Sequence, residues 1–348
     1  MKKPTPKRAS SKARKIRVAL VGAGGMANYV HYPSLAVFPD VKMVAVCDLD
    51  AERLNTTADR YQIEGRFHDY REMIEKTNPD AVYIVMPPHQ LYDITVHCLK
   101  EVHAVFIEKP PGVTADQTRN LAWHAQKHGA LTMVAFNRRF IPLLREVRRR
   151  VEARGPIIMC RATFLKNMAG VEEHPYYGGA ADILTCDAVH AVDMLRWMGG
   201  EVETVASDVQ SLYAPYPNSF LALMRFVDGA VGTLEANWVV GKRVHTFEMH
   251  ARGISGFADP NTSAVIYADA TLRSGKASSL RSTSNKDEGE TLTAAAAAGS
   301  DDFRVYYGFE AENRHFIDCV KSGRQPETNF DDAVKTMELV NRIYAGQI

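Results

Sequence analysis

The chain has 348 residues, of which 46% are hydrophobic and 24% are charged, and its formal net charge is +1. This length exceeds what one hydrophobic core usually supports, and the composition is that of a soluble globular protein, so we expect two domains. The sequence has no run of about 18 apolar residues that could span a membrane. No apolar segment of a secretory signal follows its basic start.

Charge and cysteine content bound the partners and the compartment. Residues 1–15 carry seven basic side chains and no acid, together with prolines and serines but no apolar run. This predicts a disordered, solvated tail, and a nucleic-acid partner is not expected. The five cysteines are odd in number and lack C-x-x-C spacing. This favours reduced thiols and a cytoplasmic location.

From residue 16 to residue 136 the pattern alternates apolar strands with helices, which predicts a doubly wound parallel sheet in a Rossmann domain. Strands are expected at residues 16–21, 43–47, 81–86, 103–107 and 131–136. Between them Asp50 and Asp69 are expected to cap helix N-termini, and Thr114 begins a capping box. We therefore assign residues 16–136 to dinucleotide binding.

The pattern changes near residue 137, and antiparallel strands are expected to dominate a second domain over residues 137–348. Asp228-Gly229 predicts a tight hairpin turn, since both positions tolerate positive φ. The remaining expected elements are a strand at 157–164, hairpin strands at 219–227 and 230–238, helices at 187–198, 310–321 and 331–345, and a long loop with one helical turn at 275–302.

A glycine-rich turn follows the first predicted strand. Gly22, Gly24 and Ala27 match G-x-G-x-x-A immediately before a predicted helix start. The first glycine permits a tight turn, the second lets the backbone approach a pyrophosphate, and the small third residue allows close helix–strand packing. We expect this turn, with Gly25 and Met26, to bind the diphosphate of a dinucleotide.

Two further positions lie at strand ends where a dinucleotide would pass. Asp48 can accept hydrogen bonds from the adenosine ribose and would repel a 2′-phosphate, which favours NAD. Because Arg53 lies nearby, NADP stays an alternative cofactor. The alternative role for Asp48 is to cap a helix. Pro87 fixes the chain beside the expected nicotinamide path. His89 either contacts the cofactor or substrate there, or is a loop histidine without a binding role.

Glu108-Lys109-Pro110 ends the strand expected at 103–107. Pro110 biases Lys109 away from helical geometry and keeps it extended at the strand tip, where such folds bind their ligands. We therefore expect Glu108 and Lys109 beside the cofactor. A partly desolvated lysine has a lowered pKa suited to acid–base work. The alternative is a surface salt bridge between Glu108 and Lys109.

A cluster of polar residues opens the helix expected at 187–198. Spacings of three and four place Asp187, His190 and Asp193 near one face. Histidine is the usual general acid/base, and a carboxylate one turn away can hold its tautomer. A metal site that includes Cys186 is an alternative to acid–base chemistry. A second pair of ligands is missing, so no metal is expected. The other alternative is a structural histidine whose hydrogen bonds are satisfied inside a domain interface.

These motifs together resemble the Gfo/Idh/MocA oxidoreductases over about residues 16–348. The likeness is carried by the segments 22–27, 108–110, 133–140, 226–234 and 313–323. It implies a Rossmann domain followed by a substrate-binding α/β domain with a large, mainly antiparallel sheet. That sheet is expected to form the interface of a homodimer or homotetramer.

The resemblance also implies NAD(P)-dependent hydride transfer between nicotinamide and a CH–OH or C=O carbon of a sugar, cyclitol or sugar derivative. Lys109 would lie beside nicotinamide and substrate, and His190 would be the acid/base. Asn137 and Arg138 would help to shape the substrate pocket. Asp187 is expected to contact the same substrate.

One departure from the family pattern concerns the proton relay. Many members have an aspartate four residues before the histidine, where this chain has Cys186. Asp187 either re-forms the relay from a position rotated by about 100 degrees on an ideal helix, or the relay is lost. Because some relatives are regulators, a non-catalytic dinucleotide-binding sensor is the alternative function.

Overall fold

A computed structural model describes residues 14–269 and 289–346. The predicted tail over residues 1–15 lies outside these ranges except for its last two residues. Much of the predicted loop over residues 275–302 also lies outside them.

The first half of the chain forms a six-stranded sheet with the order β3-β2-β1-β4-β5-β6, and all of its pairings are parallel. This confirms the predicted doubly wound sheet. Its strands are β1 Ile16–Val21, β2 Val41–Cys47, β3 Gly65–Phe67, β4 Ala81–Ile84, β5 Ala104–Ile107 and β6 Leu131–Val134. The edge strand β3 was not predicted, because three partly exposed residues give no apolar run.

Helices connect these strands, and their start signals are those expected from the sequence. Asp50, Asp69 and Thr114 each accept backbone N–H bonds at a helix N-terminus, which confirms the three predicted caps. The helices are α1 Tyr32–Ala36, α2 Ala51–Tyr61, α3 Tyr70–Thr77, α4 Pro88–Glu101 and α5 Ala115–His128. A π-helix at Ala27–His31 precedes α1 and follows the glycine turn.

The second half forms an eight-stranded sheet with the order β14-β13-β12-β11-β7-β10-β9-β8. Within this second sheet, β7 and β10 are the only described strands that pair in parallel, and β9 and β10 form the hairpin predicted at Asp228-Gly229. The strands are β7 Met159–Asn167, β8 Val202–Gln210, β9 Ser219–Phe226, β10 Val231–Asn237, β11 Val239–Ala251, β12 Ile254–Asp259, β13 Ser263–Ala268 and β14 Glu290–Thr293. The prediction of a loop at 275–302 is therefore wrong over the residues of β14.

The helices of the second half are α6 Pro142–Glu152, α7 Val189–Gly199, α8 Ala294–Ala298, α9 Phe303–Tyr306, α10 Phe309–Ser322 and α11 Phe330–Ala345. A short 3₁₀-helix covers Asn137–Phe140, and a π-helix covers Leu184–Ala188 immediately before α7. The helix predicted at 187–198 is thus π-helical at its start. Spacings of three and four do not describe residues on that segment.

Helix α7 is buried along nearly all of its length. It packs against β7 and β10 on one side and against α11 on another. Because α11 also packs against α5 of the first half, the C-terminal helix joins the two sheets. This arrangement brings the start of α7 to the carboxyl end of the first sheet.

All five cysteines are free and buried, as expected for reduced thiols. No helix within residues 14–269 or 289–346 is long and apolar enough to cross a bilayer. In the same ranges, no group of three or more metal-ligating side chains is found.

Candidate active site

A cavity of about 1100 Å³ lies where the carboxyl ends of the first sheet meet the start of α7. Its lining combines the glycine turn, strand ends of the first half and residues of the second half. The predicted site residues that line it are Gly22, Gly24, Gly25, Met26, Ala27, Asp48, Pro87, Glu108, Lys109, Asn137, Arg138, Asp187 and His190. The cofactor and substrate residues expected from the sequence, except His89, thus line one cavity.

The glycine turn has the geometry that a diphosphate needs. Gly22 has φ +104°, and a Cβ there would lie 2.3 Å from the Val85 carbonyl oxygen. A side chain at Gly24 or Gly25 would meet no atom within 4 Å, so both backbones face open space. The residues at this turn therefore fit a dinucleotide, whose phosphates can approach the bare backbone.

Asp48 links the glycine turn to the start of α2. Its carboxylate accepts hydrogen bonds from the Ala23 N–H at 2.7 Å and from the Asp50 N–H at 2.8 Å. The cap of α2 is Asp50, so Asp48 is not the helix-capping acid. Asp48 lines the cavity, where a carboxylate has further lone pairs to accept hydroxyl groups.

Lys109 joins the two halves of the site. Its Nζ donates a hydrogen bond to the Cys186 carbonyl oxygen at 2.9 Å, and its peptide bond to Pro110 is cis. Glu108 accepts the Lys109 backbone N–H at 3.0 Å and pairs with the buried ring of His31 at 2.9 Å. The alternative of a Glu108–Lys109 salt bridge is therefore wrong, because Glu108 has His31 as its partner.

His190 is only 6% exposed, and its Nδ1 has no hydrogen-bond partner in the part of the chain that the structure describes. Burial lowers its pKa well below the usual value, and the positive charges of Arg138 and Lys109 lower it further. The imidazole is therefore neutral at neutral pH and able to accept a proton.

Asp187 does not contact His190. Its carboxylate forms an ion pair with Lys166 and accepts a hydrogen bond from the Tyr176 hydroxyl. Burial alone would raise the pKa of Asp187, but the charges of Lys109 and Lys166 lower it below its usual range. The expectation that Asp187 re-forms the relay is wrong, because the Asp187 carboxylate is paired with Lys166 on β7.

Asp193 does not hold the tautomer of His190 either. It accepts a hydrogen bond from Arg139 Nε at 2.8 Å and one from the Thr336 hydroxyl at 3.0 Å. Arg139 also pairs with Asp332 at 2.7 Å. This buried group joins α7 to α11 and is part of the framework.

Sequence reasoning missed Lys166 and Tyr176. Trp238 Nε1 donates to the Tyr176 hydroxyl at 3.1 Å, so these groups form one network around Asp187. The period of two along β7 gives a signal for Lys166, since it places Lys166 on the same face as buried Phe164. Tyr176 lies in an irregular segment and has no comparable signal.

The remaining predicted residues are Asn137, Arg138 and His89. Asn137 is buried and donates to the Tyr307 carbonyl oxygen at 3.0 Å. The Arg138 guanidinium lies 5.0 Å from the ring centre of Phe164. His89 does not line the cavity; its ring lies 5.6 Å from that of Tyr177, which does.

Comparison with known proteins defines the class of this site. A family model described as "Oxidoreductase family, NAD-binding Rossmann fold" matches residues 16–136, and the "GFO/IDH/MocA C-terminal domain" matches residues 144–253. The fold and site are those of an oxidoreductase with an NAD-binding Rossmann domain. The chain belongs to the Gfo/Idh/MocA family.

Relatives span the length of the chain. The scyllo-inositol 2-dehydrogenase (NAD(+)) of Bacillus subtilis is 24% identical over 335 residues, covering 93% of this chain and 92% of that protein. The oxidoreductase YrbE of the same organism is 27% identical over 277 residues, covering 75% and 79%. Levoglucosan dehydrogenase in complex with NADH and levoglucosan has the same fold, with a TM-score of 0.80, 19% identity and coverage of 96% and 97%.

These comparisons confirm the predicted family, the fold class and the class of reaction, an oxidoreductase that uses a nicotinamide dinucleotide. The individual roles of the residues in the cavity stay predictions. So do the boundary between the two domains and the assembly of the chain into oligomers.

Proposed function

We propose that this chain oxidises or reduces a polyhydroxylated small molecule with NAD, at a CH–OH or C=O carbon of a sugar, cyclitol or sugar derivative. The observation that carries the proposal is that Lys109 and His190 line the same cavity as the glycine turn. The names of its relatives, among them a scyllo-inositol dehydrogenase and a D-glucoside 3-dehydrogenase, support this substrate class.

Residues of the first half would hold the cofactor. Gly24 and Gly25 offer backbone N–H groups and open space to the diphosphate, and Asp48 offers acceptors to the ribose hydroxyls. Pro87 and Glu108 line the cavity on the way to Lys109. When bound there, the nicotinamide supplies the acceptor or donor of the hydride.

Residues at the start of α7 and the end of β5 would handle the proton. In the direction of oxidation, neutral His190 accepts the proton of the substrate hydroxyl. Lys109 donates a hydrogen bond to the same oxygen and stabilises its developing negative charge. The Cys186 carbonyl holds the ammonium in place. Asp187 contacts the substrate and fixes Lys166, outside any relay to His190.

The assembly proposed for this chain uses the outer face of the second sheet. Leu221 and Leu223 on β9, Phe257 on β12 and Tyr267 on β13 are exposed there, and the strand register places all four on one face. An exposed apolar face of this kind favours association. We retain residues 16–136 as the cofactor domain, residues 137–348 as the substrate and oligomerisation domain, a homodimer or homotetramer, and a cytoplasmic location.

The second candidate function is a sensor that binds dinucleotide without turnover. The observation in its favour is that neither Asp187 nor Asp193 contacts His190. We expect the enzyme instead, because Lys109 and His190 are both present in the cavity.

A substrate panel separates the two functions. Sugars, cyclitols and their oxidised derivatives are offered with NAD and with NADP, and the absorbance of the reduced cofactor is followed. We expect turnover of at least one polyhydroxylated substrate with NAD. Tight NADH binding, measured by calorimetry, without turnover of any member of the panel would establish the sensor instead.

The pKa of His190 sets the expected pH dependence. A general base must be neutral to accept a proton, so activity is retained above its pKa and lost as the pH falls through it. Because that pKa is lowered well below 6.5, kcat/KM for oxidation should stay constant as the pH falls through 6.5. The decline should come only at lower pH. An acid limb centred at or above about pH 6.5, the ordinary value for histidine, would contradict the role of His190.

A further inference from the structure

Two neighbouring arginines of the site are equally buried but differ in their partners. Arg138 and Arg139 are each 5% exposed. Arg139 has two carboxylate partners, Asp193 and Asp332. Across residues 14–269 and 289–346, no carboxylate forms an ion pair with Arg138, and its Nε has no hydrogen-bond partner. A buried guanidinium without a counter-charge is costly, so its retention needs a reason.

The aromatic rings around Arg138 do not supply that counter-charge, and the charge of Asp187 supplies only part of it. Its guanidinium lies 5.0 Å from the ring centre of Phe164 and 5.9 Å from that of Tyr307. Aromatic faces attract a cation but carry no net charge. Burial accordingly lowers the pKa of Arg138. Arg138 lines the cavity, so a bound molecule can reach it.

Other charges on this side of the cavity are also mainly positive. Lys109 and Arg243 line it together with Arg138, and the carboxylates of Asp187 and Glu108 line it as well. Both carboxylates have partners already, since Asp187 is paired with Lys166 and Glu108 with His31. The charge of Asp187 reaches Arg138 but is shared with Lys109 and Lys166, so the three cations beside it outnumber this carboxylate.

A second donor that is unpartnered among the described residues lies next to Arg138, on His245, which does not itself line the cavity. Arg243 Nη2 lies 3.2 Å from His245 Nδ1, and because arginine can only donate, the proton of this imidazole is on Nε2. That Nε2 is buried and has no partner in the described residues. The His245 ring stacks on Phe164 at 3.5 Å, the same ring that Arg138 contacts. Two unpartnered donors thus lie around one phenylalanine.

We infer that the substrate carries a carboxylate held by Arg138, so that this enzyme acts on a polyhydroxylated acid rather than on a neutral sugar or cyclitol. The inference rests on the proposed function and specifies the substrate class of the same site. Two carboxylate oxygens can accept from the planar guanidinium and from a neighbouring donor at once. The bound anion would also offset the positive charges that disfavour a protonated His190.

The test compares substrates that differ in one group. Each aldose is compared with its uronic or aldonic acid and with its sugar phosphate. For every substrate, kcat/KM is measured with NAD. We expect each oxidised acid to exceed its neutral partner at least roughly tenfold, the lower bound for a hydrogen bond to a charged group. A neutral sugar, a cyclitol or a sugar phosphate with a kcat/KM equal to that of the acids would overturn the inference. The proposed function would remain intact.

Arg138→Met tests the residue itself. The preference for the acid should fall to about one, and the melting temperature of the unliganded protein should be unchanged or higher, because an uncompensated buried charge is removed. The acid should raise the melting temperature of the wild-type protein but not of the variant. Retention of the acid preference in Arg138→Met would refute the assignment.

Arg243→Gln is a second variant with less risk to the fold, since Arg243 is exposed. It should reduce the acid preference in part, through a lower kcat/KM for the acids. If no substrate of either kind is turned over by the wild-type protein, the proposed function fails, and the inference that depends on it fails with it.

Discussion

Replacing Lys109 by alanine should lower turnover at least about 100-fold, the low end of what a positioned acid–base group contributes. Lys109 is the cation at the tip of β5, held by the Cys186 carbonyl at 2.9 Å and lining the cavity beside His190. Its removal leaves the substrate oxygen without that donor. NADH binding should survive, because the glycine turn and Asp48 are untouched. Steady-state kinetics and calorimetric titration with NADH measure the two effects.

The control for this substitution is Lys100→Ala. Lys100 is an exposed lysine near the end of α4, so it tests the loss of a positive charge away from the cavity. Its kinetics should match those of the wild-type protein. Near-normal turnover in Lys109→Ala would remove the role assigned to this lysine, and loss of NADH binding would show that the residue serves the cofactor instead.

Replacing Arg139 by methionine should destabilise the fold by about 3–5 kcal/mol, the usual cost of leaving buried charges without a partner. Arg139 binds Asp193 on α7 and Asp332 on α11. Asp193, which is only 1% exposed, would lose its counter-charge, whereas Asp332 would keep its ion pair with Arg196 at 3.0 Å. Denaturant unfolding followed by circular dichroism measures the change in the free energy of unfolding.

Arg119→Met is the matched control, because Arg119 also has two carboxylate partners, Asp116 and Glu338, but lies on the surface. Exposed ion pairs contribute roughly 0–1 kcal/mol, so this variant should stay close to the wild-type protein. Equal destabilisation by the two substitutions, or none by either, would show that burial of the Arg139 group does not determine stability here.

The parts of the fold that local signals specify could be predicted from the sequence. Asp50, Asp69 and Thr114 cap their helices because a side-chain acceptor bonds to an N–H two or three residues later. The hairpin at Asp228-Gly229 is local as well, because Gly229 has φ +86°, which glycine adopts without a steric penalty. The strand β14 was missed because its pairing with β13 depends on residues distant in the sequence.

The site was predictable only where one motif determines it. The glycine turn and the Glu-Lys-Pro segment each place their residues through their own backbone. The partner of Asp187 could not be found in this way, since Lys166 lies 21 residues away along the chain on β7. Spacing suggested His190, but the π-helix at Leu184–Ala188 invalidates helical spacing at that point. Contacts between elements that are distant in the sequence decide which carboxylate has which partner.

The measurement that tests the central claim most directly is isotope transfer from substrate to cofactor. A substrate from the panel is prepared with deuterium at each CH–OH carbon in turn, and the reduced cofactor formed with NAD is examined by NMR. Transfer of hydride from one CH–OH carbon predicts that a single labelled position delivers deuterium to C4 of the nicotinamide. Reduced cofactor without deuterium from any labelled position, or NADH binding with no reduction at all, would contradict it.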